Sequence, residues 1–246
     1  MKKVFILKTG KIPFLAFMLT AAILFSVLIC NAYNKVSMQT TENKVLGENK
    51  IRVVIDPGHG GEDGGAEGKD GTVEKDINLS IAEILKDMLI QGGFEVEMIR
   101  EEDISVGDNS LQTVRERKRS DLEKRVEIYN SHENNVVLSI HQNNFSQSKY
   151  SGTQIFYSKN NAKSEELSEY IRKAVVGLVQ PENERQCKPA DDSIFVLHNA
   201  KVPAIIIECG FMSNSQELEK LKDYEYQKQL AFAIYMGFVE YCYNNR

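Results

Sequence analysis

The chain has 246 residues, of which 42% are hydrophobic and 26% charged, so it can bury a sizeable core and is not expected to be disordered throughout. Its 35 acidic residues outnumber its 30 basic ones, and the formal net charge of −5 argues against a nucleic-acid-binding protein. Four cysteines, at positions 30, 187, 209 and 242, form no C-x-x-C pair. This spacing supports neither a thiolate metal site nor a redox motif, and it predicts buried structural thiols at Cys209 and Cys242.

The N-terminus predicts export. Four lysines lie within the first eleven residues, and Ile12–Cys30 follows with 19 residues and no charge. A spanning helix needs about 20 apolar residues, and the lysines favour the cytoplasmic side. We therefore predict that residues 1–32 are a membrane anchor or signal segment, with cleavage near Ala32 or lipid attachment at Cys30 as alternatives. Residues 33–50 are polar and predict a linker to a single domain at 51–246.

The first half of that domain predicts strand–helix alternation. The β-branched run Ile51–Ile55 predicts a buried strand, and a loop follows it that holds seven of the chain's 16 glycines between positions 58 and 71. Apolar residues at helical spacing predict a helix from the N-cap Asp76 to the glycine pair at 92 and 93. Phe94–Ile99 alternates apolar and acidic residues, as a strand does. Residues 103–118 predict an exposed loop, and a helix then runs from residue 120 or 121 to Tyr129.

The second half continues the alternation. Val136–Ile140 predicts a buried strand that ends at His141, and Gly152–Tyr157 predicts a strand with alternating sides. A helix is expected over 165–179, a polar excursion over 181–192, a buried strand over Ala204–Ile207 and a final helix over about 225–243. Strands that alternate with helices predict an α/β fold, with a twisted, mostly parallel sheet and helices on both faces.

Groups that can carry chemistry follow three of the predicted buried strands. Asp56 and His59 come after the first, His141 directly follows the second, and Glu208 directly follows the third. Ligand sites of open α/β sheets lie beyond the carboxyl ends of the strands. We therefore expect two imidazoles and a carboxylate at one edge of the sheet. A carboxylate at the end of a buried strand also suits a general base, because burial raises its pKa.

Two histidines would need a third ligand to hold a catalytic zinc, which binds three protein groups and keeps one position open for water. Glu74 closes the glycine-rich loop, while Glu62 and Asp63 lie within it. Spacing alone does not choose among these three acids. His132 lies in a polar turn, where we expect it to be solvated, and His198 follows an apolar stretch, where we expect a loop or rim position.

Four motifs cover much of the predicted domain: VVIDPGHGG at 53–61, EKDINL at 74–79, SIHQN at 139–143 and PAIIIECGFMSN at 203–214. In their order and number they resemble the zinc-dependent N-acetylmuramoyl-L-alanine amidases. The resemblance implies that residues 51–246 form a catalytic domain that hydrolyses the amide between N-acetylmuramic acid and L-alanine in peptidoglycan.

By position, the resemblance implies one Zn²⁺ per chain on His59, Glu74 and His141, so it selects Glu74 as the third ligand. Glu208 matches the catalytic carboxylate. Asn143 and Arg125 match recurrent positions that are candidates for substrate binding, and Arg125 is equally suited to a buried ion pair.

Within the family, the nearest resemblance is to membrane-anchored, germination-specific spore-cortex amidases, whose action allows muramic-δ-lactam to form. This implies a peptidoglycan substrate, membrane contact through the N-terminal segment, and regulation by an activator protein as in some relatives. The implied location is the outer face of the cytoplasmic membrane, the cell wall or the spore intermembrane space. The alternatives are a wall-remodelling or cell-separation amidase, a non-catalytic wall-binding protein, and a thiol hydrolase that uses Cys209.

Overall fold

The computed structural model describes residues 51–245, which form one sheet with helices packed against it. The strands are β1 (Arg52–Pro57), β2 (Glu95–Met98), β3 (Asn135–Asn143), β4 (Gln154–Tyr157), β5 (Lys188–Pro189) and β6 (Ala204–Phe211). The helices are α1 (Glu74–Gln91), α2 (Val114–Tyr129), α3 (Lys163–Leu178), α4 (Phe195–Asn199), α5 (Ser215–Lys222) and α6 (Tyr224–Asn244).

The sheet has the strand order β2-β1-β3-β6-β4-β5. Strands β2, β1, β3 and β6 run parallel to one another, whereas β4 runs antiparallel to β6 and parallel to β5. The prediction of a mostly parallel sheet is therefore confirmed. In this register His141 of β3 lies beside Glu208 of β6, so the two predicted site residues are neighbours across the sheet.

The side chains of the central strands alternate between two cores. On one face, residues such as Val53 and Ile55 pack with α1, α3, α5 and α6. On the other face, residues such as Val54 and Val137 pack with α2 and α4. A strand buried on both faces has no polar side, which explains why these strands appear in the sequence as unbroken apolar runs. Helices on both faces are confirmed.

Helices α1 and α2 begin earlier in the sequence than predicted. Helix α1 begins at Glu74 rather than at Asp76, so Glu74 belongs to its first turn. Helix α2 begins at Val114, where Thr113 and Glu116 form a capping box, so the predicted loop is wrong for residues 114–118. The error has a physical cause: α2 buries only Arg125 and Tyr129, so its N-terminal half carries no apolar period to detect.

Three short elements, β5, α4 and α5, were not predicted, because each is too brief to show a periodic pattern. Strands β3 and β6 run on past the predicted strand ends to Asn143 and Phe211, since the two strands remain paired there. Between residues 51 and 245, no helix is long and apolar enough to cross a bilayer. The predicted segment 1–32 and linker 33–50 lie outside the described residues.

Helices α3 and α6 approach closely at Gly237. A Cβ atom on Gly237 would lie 2.6 Å from the Ile171 Cα and 2.8 Å from the Tyr170 carbonyl oxygen, so the contact is with the backbone of α3. Gly177 near the end of α3 is different, because a Cβ there would meet nothing within 4 Å. Only the first of these two helical glycines is required by packing.

This contrast predicts opposite effects of one chemical change. We expect Gly237→Ala to lower the free energy of unfolding by about 1–3 kcal/mol, because α3 and α6 must separate. Gly177→Ala should raise it by up to about 1 kcal/mol through helix propensity. Urea unfolding of the parent and both variants, followed by circular dichroism, measures both effects. Equal shifts in the two variants would contradict the assigned contact.

Candidate metal and catalytic site

The structure brings together His59, Glu74 and His141 at the carboxyl edge of the sheet. His59 lies in the loop after β1, Glu74 opens α1, and His141 belongs to β3. One potential ligand atom from each residue lies within 4.8 Å of the others. The His59 and His141 rings meet edge to face, with their centroids 4.9 Å apart. Three separate elements thus converge on one point.

The Glu74 carboxylate lies between the two rings. Its Oε1 is 3.0 Å from Nδ1 of His141, and its Oε2 is 3.3 Å from Nε2 of His59. Burial acts to raise the pKa of Glu74, but the hydrogen bonds and charges of His141 and His59 outweigh it and hold this pKa far below its usual range. The carboxylate is therefore in the ionised form that metal ligation requires.

Backbone and amide donors fix the same carboxylate from the protein side. The backbone N–H of Ala66 donates to Oε2 at 2.8 Å, and that of Gln142 donates to Oε1 at 3.0 Å. Nδ2 of the fully buried Asn78 also donates to Oε1, at 3.2 Å. Asn78 in turn accepts a hydrogen bond from the Gln142 side chain at 3.1 Å. The Glu74 side chain is thus oriented before any ion binds.

The two competing acids have other partners. Oδ2 of Asp63 lies 2.9 Å from Nδ1 of His59 and 3.1 Å from Nζ of Lys118, and Glu62 forms an ion pair with Arg117. Asp63 therefore contacts the ring nitrogen that faces away from Glu74. Burial acts to lower the pKa of His59, but Asp63 and Glu74 outweigh it and raise this pKa to about 9. Such a carboxylate commonly orients a metal-binding histidine.

Two glycines of the loop are required by close approach. A methyl group at Gly58 would overlap the His141 ring. At Gly65, where φ is +72°, a Cβ would lie 2.6 Å from Oε2 of Glu74 and 2.7 Å from Cδ2 of His59. His59 itself has a left-handed φ of 64°, which a non-glycine residue rarely adopts. The glycine-rich loop therefore allows the three candidate ligands to pack against one another.

Two buried arginines hold this loop from below. Arg100 donates from Nε to the Pro57 carbonyl at 2.9 Å and from Nη2 to the Gly58 carbonyl at 3.0 Å. Arg125 donates to the Pro57 carbonyl at 3.1 Å and to the His59 carbonyl at 2.7 Å. Arg100 was not singled out in the sequence, although it directly follows the predicted strand Phe94–Ile99, as Asp56, His141 and Glu208 follow or closely follow their predicted strands.

Arg125 is held by a buried carboxylate. Its guanidinium pairs with Asp56 and, at 2.6 Å, with Asp121, and only 3% of its side chain is exposed. Asp56 also accepts hydrogen bonds from Tyr129 and, at 2.8 Å, from Ser139. Burial acts to raise the pKa of Asp56, but Arg125 and these hydroxyls keep it below its ordinary value. Arg125 therefore supports the loop through a buried ion pair, which is the second role that its position allowed, and its contact with substrate stays a prediction.

Glu208 lies beside the cluster. Its side chain is half-buried, and its Oε2 is buried without a hydrogen-bond partner among the described residues. Burial raises the pKa of Glu208 to about 7; the neighbouring Glu74 adds to this effect, and His141 and His59 oppose it. A buried carboxylate oxygen without a donor costs stability, so it suggests that a ligand or water completes the site.

The other candidate residues of the sequence analysis lie in different surroundings. Asn143 ends β3 two residues beyond His141 and is half-buried at the same edge. His132 and His198 are exposed, and His198 contacts Asp192 instead, 3.3 Å away. The thiol-hydrolase alternative is wrong, because Cys209 is fully buried and burial raises the pKa of its thiol.

The donor set fits a zinc ion. Two imidazole nitrogens and one carboxylate, already oriented by their neighbours, are the His₂Glu combination that leaves a position open for water. The structure thus places the chain among α/β enzymes with a candidate metal centre beside a partly buried carboxylate. Residues 53–240 match the family model described as N-acetylmuramoyl-L-alanine amidase. The chain therefore belongs to the N-acetylmuramoyl-L-alanine amidase family, as its motifs predicted.

The chain is similar to N-acetylmuramoyl-L-alanine amidases of several bacteria. It is 35% identical over 189 residues to the germination-specific N-acetylmuramoyl-L-alanine amidase of Bacillus subtilis, a match that covers 77% of this chain and 78% of that protein. The CwlD amidase of Clostridioides difficile, solved in complex with the GerS lipoprotein, is 40% identical with a TM-score of 0.76, over 79% of this chain and all of that one. The amidase AmiC2 of Nostoc punctiforme is 28% identical with a TM-score of 0.64, over 81% of this chain and all of that one.

The contact between Gly58 and the His141 ring predicts a loss of metal affinity. We expect Gly58→Ala to weaken Zn²⁺ binding by at least about ten-fold, because the methyl group would displace the ring of the candidate ligand His141. Gly64→Ala is the matched control, since its Cβ would lie 3.3 Å from Val73 Cγ1 and its φ is ordinary. Competition with a chromophoric chelator measures both affinities. If the two variants bound Zn²⁺ equally well, the role assigned to Gly58 would be wrong.

The buried Asp56–Arg125 pair predicts a pH-dependent contribution to stability. Asp56→Asn should lower the free energy of unfolding at pH 7 by about 3 kcal/mol, because it leaves Arg125 buried without its main carboxylate. Since the pKa of Asp56 is lowered from 3.8 in the folded protein, this difference should persist at pH 5 and disappear only as the pH falls below 3.8. Urea unfolding across this range, with the exposed Asp87→Asn as control, measures it. A difference that faded between pH 7 and pH 5 would point to another group.

Proposed function

We propose that this chain hydrolyses the amide between the lactyl group of N-acetylmuramic acid and the L-alanine of the peptidoglycan stem, with zinc held by His59, Glu74 and His141. One observation carries the proposal: the convergence of these three residues beside Glu208, whose carboxylate oxygen has no partner among the described residues. Membership of the amidase family supports the reaction class.

Each residue has a distinct role in this proposal. A zinc ion held there would lower the pKa of a bound water and polarise the scissile carbonyl. Glu208 would accept the proton of the attacking water and return it to the departing alanine amine. Asp63 and Asn78 would keep His59 and Glu74 in their orientations, and Asn143 at the end of β3 is the candidate contact to substrate. The non-catalytic alternative is disfavoured, because the three candidate ligands lie together and Glu208 is the partner of His141 in the sheet.

We propose that the substrate is spore-cortex peptidoglycan, so that removal of the stem peptide allows muramic-δ-lactam to form. The similarity to a germination-specific amidase supports this choice over wall remodelling or cell separation. A lipoprotein activator is also proposed, because the CwlD amidase was solved with the GerS lipoprotein. These alternatives are separated by digesting cortex and vegetative peptidoglycan in parallel. The release of stem peptides from each, with the sugar chains left intact, shows which substrate is cleaved.

The proposed location follows from the sequence. Residues 1–32 would anchor or export the chain, residues 33–50 would act as a linker, and the catalytic domain at 51–246 would face peptidoglycan on the outer side of the membrane. Retention of this segment, its cleavage and its lipidation each give a different mass for the mature N-terminal peptide.

Glu208→Gln tests the proton-transfer role. We expect kcat for release of stem peptides from sacculi to fall by about 10²–10⁴-fold, while zinc content stays at one per chain, because the amide cannot accept the proton. Glu240→Gln, an exposed acid on α6, makes the same chemical change away from the site and should behave like the parent. Mass spectrometry of the digests and metal analysis give the two readouts. A folded, zinc-loaded Glu208→Gln variant with parental kcat would exclude this role.

A further inference from the structure

Strand β6 holds one extra residue between Glu208 and Phe211. These two residues pair with His141 and Asn143 of β3, so β6 advances by three residues where β3 advances by two. An extra residue on one strand is a β-bulge, and bulges are frequent next to active sites, where they change the direction of a side chain. The bulge in this strand, at Cys209–Gly210, directly follows the candidate catalytic carboxylate.

The packing of β6 requires this bulge. Ile207, Cys209 and Met212 all pack in the core that faces α1, α3, α5 and α6. Side chains of an unbroken strand point to alternate faces, so Ile207 and Cys209 can share a face. Cys209 and Met212 lie an odd number of positions apart, and they can share it because an extra residue lies between them. The bulge thus keeps both side chains in one core.

The bulge also decides where Glu208 points. With the bulge present, Glu208 lies beside His141 across the sheet, at the candidate metal site. An unbroken pairing counted back from the end of β6 would place Cys209 beside His141 instead. Glu208 would then point to the opposite face, into the apolar core, because a slip of one residue turns every side chain of a strand over. A stable bulge is therefore a condition for a proton acceptor at the candidate metal site.

The carboxylate of Glu217 holds the end of the bulge. Its Oε2 accepts the backbone N–H of Phe211 at 2.8 Å, and its Oε1 accepts that of Gly152 at 2.9 Å. Both oxygens are thus used by backbone donors. A Cβ atom on Gly210 would lie 3.2 Å from Leu221 and 3.4 Å from Oε2 of Glu217, so helix α5 packs directly on the bulge.

The place of Glu217 in α5 leaves its carboxylate free for this contact. Glu217 lies three residues after the N-cap Asn214, the spacing at which the glutamate of a capping box accepts the N–H of the N-cap. In this chain the Asn214 N–H donates to the Phe211 carbonyl instead, at 3.0 Å. The Asn214 side chain caps the helix by accepting the backbone N–H of Gln216 at 3.0 Å. The Glu217 side chain is therefore available to the neighbouring strand.

Two further side chains hold the carbonyl group of the bulge. The Cys209 carbonyl accepts hydrogen bonds from Oγ1 of the buried Thr153 at 2.8 Å and from Nε2 of Gln180 at 3.3 Å. Oε1 of Gln180 also accepts the Thr153 N–H, at 2.8 Å. The peptide groups that leave the regular ladder at the bulge thus find partners on three elements outside β3.

We propose that Glu217 is a positioning residue for Glu208: by holding the bulge, it keeps the Glu208 carboxylate at the candidate metal site. The inference rests on the proposed function, in which Glu208 transfers the proton. Loss of a Glu217 oxygen leaves a backbone N–H without its acceptor and loosens the strand that carries the base. A displacement of about 1 Å is enough to slow a catalytic step by up to about 10²-fold.

Combining two substitutions tests whether Glu217 acts through Glu208. Glu217→Gln keeps the size of the side chain but replaces one acceptor oxygen with an NH₂ group. We expect it to lower kcat for release of stem peptides from sacculi by about ten-fold, with KM and zinc content near the parental values. In a Glu208→Gln background the same substitution should lower the residual kcat by less than about two-fold, because the base is already absent.

Glu219→Gln is the matched control. Glu219 is an exposed acid of the same helix, and its carboxylate pairs with Lys222 at 2.8 Å. Its substitution should leave kcat unchanged in both backgrounds. Hydrogen exchange of the Phe211 amide needs neither zinc nor substrate, and it should be faster in Glu217→Gln than in Glu219→Gln.

A pair of Thr153 variants tests the bulge independently, including the case in which Glu217→Gln does not fold. Thr153→Val replaces the hydroxyl that donates to the Cys209 carbonyl with a methyl group. We expect kcat to fall by about three-fold, because Gln180 still donates to this carbonyl. Thr153→Ser keeps the hydroxyl and should hold kcat within about two-fold of the parent. Equal kcat values for the two variants would contradict the role of the bulge.

The outcomes separate the two proposals. Equal losses of kcat from Glu217→Gln in the two backgrounds, or exchange of the Phe211 amide equal to that of the control, would exclude the positioning role and leave the proposed function in place. A parent chain that releases no stem peptides, or a Glu208→Gln variant with parental kcat, would overturn the proposed chemistry, and the positioning role would fail with it. Unequal losses in the two backgrounds support both.

Discussion

The loop that carries His59 depends on two buried guanidinium groups. Its carbonyl oxygens point into the protein, where unpaired acceptors would be costly, and Arg100 and Arg125 supply the donors. Burying two cations is itself unfavourable, and Asp56 offsets part of that cost by pairing with Arg125. Because its backbone is held from below, the loop needs no regular secondary structure of its own. The His59 side chain can therefore be presented at a fixed height above the sheet.

Three carboxylates near the strand ends show how surroundings separate otherwise similar groups. Asp56 is fully paired with a guanidinium and two hydroxyls, and it is structural. Glu74 receives N–H donors and lies against two imidazoles, which suits a ligand. Glu208 has an oxygen with no donor, and burial raises its pKa to about 7. Different partners thus assign different chemistry to three acids at one edge of a sheet.

The sequence predicted the architecture well where apolar runs were long. The central strands, the helices on both faces and the convergence of His59, His141 and Glu208 all followed from strand ends meeting at one edge. Prediction from the sequence failed where a feature depends on contacts between residues that are distant along the chain. The start of α2 has no apolar face, and spacing could not choose among Glu62, Asp63 and Glu74. Only the folded loop shows that Asp63 contacts the far nitrogen of the His59 ring.

Arg100 and Asn78 illustrate a second limit of prediction from the sequence. Neither belongs to a motif whose chemistry is visible in isolation, since an arginine after a strand and an asparagine in a helix are common. Their importance lies in which carbonyl or carboxylate they reach, 42 residues away for the bond from Arg100 to Gly58. Charged residues directly after buried strands are nevertheless a usable signal. It marked Asp56 and Glu208, and extended to the predicted strand Phe94–Ile99 it would have marked Arg100.

The contact between His141 and Glu74 joins chain segments 67 residues apart, and His59 adds a third segment to the same point. A metal ion bound by all three would act as a removable cross-link between the loop after β1, the first turn of α1 and the centre of the sheet. The unfolded chain does not hold these groups together, so it would bind the ion far more weakly. Free metal at about 100 times its dissociation constant would then add about 2.7 kcal/mol to the folded state. The supply of the ion would in this way govern how long the folded domain survives.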